Sequence, residues 1–403
     1  MGKMRIACFV TSDANHFIGV LAVASGLIET GACVRIWTDR RFREQIIAAG
    51  IEFGDLFENG TIDDADSLSI PRPARIVTFS VWHCEEVARA VSDWRPDLVF
   101  VEGFALIGQL IAQRLSCPWI LVNSGHLPNG PALRKLMREE FPERISDECL
   151  HAVERLKAEF GHEDASPYSY ISLPSPWMNI HLEPPEWLIS DFDGLPRQIE
   201  CFGSHLSLLE KPAKNSPPNR SNCRIYAAFG TIVWRYWTEE ALRVLEALAD
   251  AVERLPSHSL TIGLGGAAIG YDNIRRLSRE RVKILPHADQ ISELCSHDLF
   301  VTHNGLNSTH EAVMLQVPMM SCPFVGDEPD LARLCADFGI SHRIADSAIH
   351  GNVALTTEYF MDKISTAIDE RPVMIENLSR VHKWEIETIS RRKSTLESIL
   401  CQF

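Results

Sequence analysis

Strand-like and helix-like runs alternate along this chain, and that rhythm restricts its fold more than any other feature. RIACFV (5–10) reads as a buried strand, HFIGVLAVASGLIE (16–29) carries its apolar residues at helical spacing, and CVRIWT (33–38) is a second strand followed by a helix near 40–49. DLVFVE (97–102), a helix near 104–115 and PWILVN (118–123) repeat the unit. Strand–helix–strand order of this kind implies a parallel, doubly wound α/β sheet.

Around LLEKPAKNSPPNRSN (208–222) the composition turns to Pro, Asn, Ser and Lys with little apolar content, which marks a linker. The alternation then restarts with CRIYAAFG (223–230), a helix near 238–254, SLTIGLG (259–265), RVKIL (281–285), DLFVTH (298–303) and PMMSCP (318–323). At 403 residues and 45% apolar content the chain suits two domains of roughly 150 to 200 residues. The expected plan is one domain over 1–207, a linker over 208–222, a second domain over 223–383, and a C-terminal helix over 384–403 packing back on the first domain. Two open sheets of this type would face a cleft at the carboxyl ends of their strands, the usual ligand position. The final ENLSRVHKWEIETISRRKSTLESIL has an amphipathic helical pattern with a place for one break.

Charge and cysteine usage narrow the partners. With 39 basic and 54 acidic residues the net charge is −15, the wrong sign for a protein that holds a nucleic-acid backbone through its overall field. A small phosphorylated ligand remains compatible, because local backbone amides can hold an anion inside an acidic protein. Eleven cysteines run from Cys8 to Cys401 without a CxxC pair, which argues against a zinc ribbon or a disulfide framework and for buried, reduced thiols in a cytoplasmic protein. The short apolar run of MGKMRIACFV lacks the pattern of a signal peptide, and no stretch of about 18 apolar residues offers a membrane span.

The stretch VTHNGLNSTHEA (301–312) joins a strand end to a helix start. Ser308 and Glu311 fit the S-x-x-E capping box, and a helix start after a strand also presents free N–H groups to a phosphate. The register running from Gln290 through His303, Gly305, Asn307, Ser308, Glu311 and Val317-Pro318 to Asp327-Glu328 resembles the donor-binding signature of family-one, UDP-sugar-dependent glycosyltransferases of GT-B fold. That resemblance implies two Rossmann-like, doubly wound parallel-sheet domains facing an interdomain cleft. It also implies roles: His303, in one turn with Asn304 and Gly305, for the diphosphate; Asn307 and Ser308 for its oxygens; Glu311 for the ribose hydroxyls; Gln290 for ribose or base; and Asp327 with Glu328 for the sugar hydroxyls. Acceptor-only carboxylates suit a ligand rich in O–H donors. Thr231, after Phe229-Gly230, corresponds to a β-phosphate contact, and His287 stands where the family stacks an aromatic ring on the base. Leu306 replaces a family Trp and Glu328 a family Gln, so glucose, N-acetylglucosamine and deoxysugar donors all stay open.

In the first half, a lone His at a strand–helix turn is more often structural than catalytic. His16, however, corresponds to the family's general base in G-H-x-x-P, with Asn15 and Gly19 replacing Gly and Pro, and Glu102 ends the strand that in the family carries its Asp partner. Other signals are thinner. Asp191-Phe192-Asp193 has the D-x-D form of a metal-binding motif, but in a turn-rich setting. His310-Glu311 does not extend to HExxH, Ser124 lacks the G-x-S-x-G elbow, and TIGLGG (261–266) reads as a loop after a strand. Trp177, Met178 and Trp187 could wall an apolar acceptor pocket or serve as core. The resemblance thus implies inverting transfer of a sugar from a UDP- or TDP-sugar to a hydroxyl or amine of a small, largely apolar natural product. It implies no metal or other cofactor, and a monomer or weak homodimer. A nucleotide-sugar epimerase and a silent nucleotide-sugar-binding homologue are the alternatives.

Overall fold

The first strand is covered on both faces. Along β1 (Arg5–Phe9), Ile6 and Cys8 enter one apolar cluster while Ala7 and Phe9 enter another, all fully buried. A strand in that position reads as a continuous apolar run because period-two alternation sends every side chain into a core. The computed structural model describes residues 3–126, 145–171, 173–188, 198–206, 222–350 and 354–403. The stretch read as a linker and the Asp191–Asp193 motif fall almost wholly or wholly outside the described residues. Two compact units are present: Met1–His205 with Glu387–Phe403, and Leu206–Ile386.

In the first unit β1 is followed by α1 (Ala14–Glu29), β2 (Cys33–Thr38), α2 (Arg43–Ala48), β3 (Glu52–Asp55), α3 (Arg72–Trp94), β4 (Leu98–Glu102), α4 (Leu106–Arg114), β5 (Trp119–Asn123), α5 (Asp147–Phe160), β6 (Met178–His181) and β7 (Ile199–Cys201). Among the described residues the strands form one parallel sheet in the order β3-β2-β1-β4-β5-β6-β7. Phe17, Val20, Val23 and Leu27 of α1 cover one face, and Val77, Val81, Cys84 and Val91 of α3 cover the other. The winding reverses between β1 and β4, so their carboxyl ends flank the crevice where open α/β sheets bind ligands. Met178 and Trp187 are core residues here, 3% and 1% exposed, whereas Trp177 is half exposed. The pocket reading for the first two gives way to packing, because β6 places Met178 in the apolar cluster beneath α1.

The second unit contains β8 (Arg224–Ala228), α6 (Ile232–Tyr236), α7 (Thr238–Arg254), β9 (Ser259–Gly263), α8 (Tyr271–Leu277), β10 (Val282–Leu285), α9 (Gln290–Ser296), β11 (Leu299–Thr302), α10 (Leu306–Leu315), β12 (Met319–Ser321), α11 (Glu328–Asp337) and β13 (Ser341–Arg343). Its parallel sheet runs β10-β9-β8-β11-β12-β13, with the reversal between β8 and β11. The last element, α12 (Thr357–Leu400), is one 44-residue helix with Pro372 inside it. The place for a break in its pattern is not used. Proline removes one helical N–H and crowds the preceding turn, but here the turn is anchored: Arg371 donates to the Asp298 backbone oxygen at 3.0 Å, and Phe360, Ile364, Ala367 and Met374 are buried in the core.

All eleven cysteines are free thiols, but only Cys8, Cys84, Cys149, Cys223, Cys322 and Cys335 are buried; Cys401 is exposed. Burial pushes the Cys322 thiol up to about 12, which keeps it protonated and unreactive. No described helix is long and apolar enough to cross a membrane.

Candidate active site

In the first unit, the residues flanking the reversal point are His16, Glu102 and Ser124. His16 sits in the first turn of α1, just past β1, and Glu102 is the last residue of β4. His16 Nδ1 lies 2.7 Å from Glu102 Oε1, and the carboxylate is fully buried while the imidazole is partly exposed. A buried carboxylate accepts but cannot donate, so the pairing puts the imidazole proton on Nδ1 and the basic lone pair on Nε2. That tautomer is the one a general base needs. Phe104 packs edge-on against the His16 ring at 5.0 Å, and its backbone N–H donates to Glu102 Oε2 at 3.2 Å. The turn carrying His16 is pinned from α3: Arg72 donates to Ser12 Oγ at 2.6 Å and pairs with Asp13 at 3.1 Å.

Ser124, one residue beyond β5, donates its Oγ–H to Glu102 Oε1 at 2.7 Å and lies 3.2 Å from His16 Nδ1. Nothing in the residues around Ser124 points to this placement, because its visible context is a missing hydrolase motif. Its position next to the end of the strand paired with β4 was the available signal.

In the second unit the reversal point lies between Gly230-Thr231, after β8, and His303-Asn304, after β11. His303 is 8% exposed, and the two glycines flanking its ring have no room for a side chain: a Cβ would fall 2.7 Å from His303 Nε2 at Gly230 and 2.4 Å at Gly305. Burial holds the His303 imidazole down at about 4, so at neutral pH it is an uncharged hydrogen-bonding group. Asn304 takes a left-handed φ of 64°, is fully buried, and neither end of its side-chain amide has a hydrogen-bond partner among the described residues. Such strain and dissatisfaction cost about 1–3 kcal/mol each and gather where a fold serves a ligand.

Gln290, Ser308 and Glu311 come together. Gln290 Nε2 donates to Ser308 Oγ at 2.9 Å and to Glu311 Oε2 at 2.5 Å. This corrects the capping-box expectation. Helix α10 begins at Leu306 with Gly305 as its N-cap and no side-chain cap, so Ser308 already lies inside the first turn and its hydroxyl serves Gln290 instead. Burial pushes the Glu311 carboxyl up to about 7, against the Gln290 hydrogen bond that favours its charged form. On the neighbouring position of α10, His310 forms a fully buried ion pair with Glu385 of α12.

The remaining candidates are arranged more loosely. His287 lies against the 265–266 turn, where a Cβ on Gly266 would stand 2.9 Å from its ring, and a Cβ on Gly265 would meet the Gly230 oxygen at 2.7 Å. His287, that turn, Gly230-Thr231 and His303 therefore form one continuous line along the strand ends. A groove of about 390 Å³ lined by Thr231, Trp234, Arg235, Gly265, Gly266 and Asn273 opens beside it. Glu328 is 6% exposed, and its Oε2 accepts from the backbone N–H groups of Phe324 (2.7 Å) and Val325 (3.0 Å), tying down its own loop. No cluster of His, Cys, Asp and Glu fit to hold a metal ion is found among the described residues.

Comparison with known proteins agrees with this construction. Residues 222–385 match the model of the family described as UDP-glucoronosyl and UDP-glucosyl transferase. The chain is similar to the zeaxanthin glucosyltransferase of Pantoea ananas, 24% identical over 287 residues, a stretch covering 64% of this chain and 63% of that enzyme. It is also similar to the NDP-glycosyltransferase YjiC of Bacillus subtilis (strain 168), 24% identical over 352 residues and 84% of each chain. Among solved structures, the glycosyltransferase of kitacinnamycin superposes with a TM-score of 0.74 at 18% identity, covering 99% of this chain and 100% of that one, a likeness of fold. Two parallel α/β units and a donor-type signature at the reversal point of the second lead to one conclusion: the chain has the GT-B fold, and its residues 222–385 match the UDP-glucoronosyl and UDP-glucosyl transferase family.

Proposed function

We propose that this protein transfers a sugar, with inversion, from a UDP- or TDP-sugar to a hydroxyl or amine of a small, largely apolar natural product. The observation that carries this reading is the His16–Glu102 pair, an imidazole held at 2.7 Å by a buried carboxylate at the reversal point of the first sheet. His16 Nε2 removes the acceptor proton as the acceptor oxygen or nitrogen attacks the anomeric carbon from the side opposite the diphosphate, and Glu102 stabilises the imidazolium that forms. The leaving diphosphate is met by neutral donors: His303, Thr231, and Asn307 with Ser308 at the start of α10. Glu311 and Gln290 hold the ribose, His287 lies under the base, and Asn304 with Gly305 shapes the turn against the phosphates. Asp327 and Glu328 accept from the sugar hydroxyls.

Purified protein incubated with UDP-glucose, UDP-N-acetylglucosamine and TDP-sugars against a panel of aglycones, followed by mass spectrometry, tests the reading. Transfer gives an adduct of one hexose; donor conversion without acceptor identifies an epimerase, and no conversion a silent homologue. Because neutral donors and a helix start serve the diphosphate in this scheme, turnover is expected to survive EDTA unchanged. Loss of turnover in EDTA and recovery with a divalent cation would replace that part of the mechanism.

Glu311 supplies a pH dependence. Its folded value of about 7 lies above the ordinary 4.5, so the protein takes up a proton here on folding; the resulting stability is fully present below pH 4.5 and is lost as pH rises through 7. Donor binding runs the other way, since two ribose hydroxyls need a carboxylate to accept them. Donor KM should fall by up to about tenfold from pH 6 to pH 8, and Glu311→Gln should flatten that change. An equal slope in the Gln variant would assign the titration to another group.

A further inference from the structure

The scheme above uses an imidazole and a carboxylate, yet a third side chain touches both. Ser124 Oγ is 2.7 Å from Glu102 Oε1 and 3.2 Å from His16 Nδ1. Resting on the proposed base, we infer that Ser124 is a positioning residue that locks the Glu102 carboxylate against His16, and that it is needed because this carboxylate belongs to a Glu.

Proton accounting fixes the direction. Glu102 is fully buried and acceptor-only, so it takes the Ser124 hydroxyl proton and the His16 Nδ1 proton on Oε1 and the Phe104 N–H on Oε2. Towards His16 the serine then offers only a lone pair, and it cannot divert the imidazole's lone pair from Nε2. Glu has one more rotatable bond than Asp. At the end of a strand that extra freedom lets the carboxylate leave the plane of the imidazole, and two donors arriving from β5 and from the turn after β4 remove it.

The serine is itself held firmly. Asn123, on its N-terminal side, pairs with His181 at 3.2 Å, and His126, two residues on, pairs with buried Glu183 at 2.5 Å. From α1, Gly19 leaves the space: a Cβ there would meet Leu182 at 2.4 Å and come within 3.9 Å of Ser124 Cβ. The other ionisable groups on the surrounding elements have their own partners, Asp13 with Arg72, His126 with Glu183, and the Tyr170 hydroxyl with the Pro73 oxygen.

The test is a double-mutant cycle on kcat and donor KM. Ser124→Ala should lower kcat about tenfold with donor KM within twofold of the parent. The acid limb of its kcat profile should move to lower pH, since the unlocked carboxylate swings away from the ring and holds the imidazolium less tightly. Ser124→Thr, which keeps the hydroxyl, should restore most of kcat. In a Glu102→Asp background the shortened carboxylate no longer reaches Oγ, and adding Ser124→Ala should change kcat less than twofold. Equal effects of Ser124→Ala in both backgrounds would overturn the proposal, as would a rise in donor KM at constant kcat, which would make Ser124 a donor contact. His16→Ala separates the two levels. If it abolishes turnover and the cycle is additive, only the role of Ser124 fails; if it leaves turnover intact, the base reading fails and this inference with it.

Discussion

His16→Ala is expected to lower kcat about 1,000-fold while leaving UDP affinity within about twofold, the signature of removing a general base. The imidazole is the basic member of the first-unit cluster, because Glu102 is fully buried and Ser124 spends its proton on that carboxylate. Within the first unit His126 and His181 are 3% and 4% exposed and engaged with Glu183 and Asn123. In the proposed scheme nucleotide binding draws on residues after β8, β10 and β11, and His16 has no part in it. Calorimetry with UDP and product formation measured by mass spectrometry check the two halves separately. Turnover within tenfold of the parent would take His16 out of the mechanism.

Gly305→Ala should have the second-largest effect, on the donor side. Its backbone, at φ −60° and ψ 142°, accepts any residue, so the consequence is wholly steric. The new methyl would stand 2.4 Å from Nε2 and 3.0 Å from Cε1 of a buried imidazole, and Gly230 closes off the ring from another side. His303 must swing out, withdrawing the hydrogen bond proposed for the diphosphate and disturbing the entry to α10. Donor affinity should drop about 100-fold, the loss of one or two hydrogen bonds to a charged group. Overpacking of about 1–3 kcal/mol should also lower the melting temperature by several degrees. Unchanged UDP affinity in a folded Gly305→Ala protein would mean that the phosphates lie away from this turn.

Much of the architecture could be read from sequence because its central strands are buried on both faces. β1, β2, β4, β5 and β8 show as apolar runs, since Ala7 and Phe9 face one cluster while Ile6 and Cys8 face the other. Edge and late strands leave no such trace. β3 is Glu-Phe-Gly-Asp and β13 is Ser-His-Arg, short segments whose pairing with β2 and β12 comes from the sheet beside them. The candidate site divides in the same way. The resemblance to the family's motifs is what pointed to His16 with Glu102 at two strand ends, and its signature is what singled out Gln290, Ser308 and Glu311. Local chemistry misled where two uses of one side chain compete: Ser308 had the pattern of a cap but answers Gln290. Ser124 was illegible because its partners are 22 and 108 positions away in the chain.

The first unit is not a contiguous piece of polypeptide. Leu396 and Ile399, at the far end of α12, lie in the same apolar cluster as α1, where Leu396 fills the space above Gly26, and Arg392 hydrogen-bonds the Phe202 oxygen at 2.9 Å. Any attempt to isolate this half by cutting near residue 206 would leave an oily notch along its first helix. Domain-swapped chimaeras with relatives should therefore carry the matching tail along with the N-terminal segment.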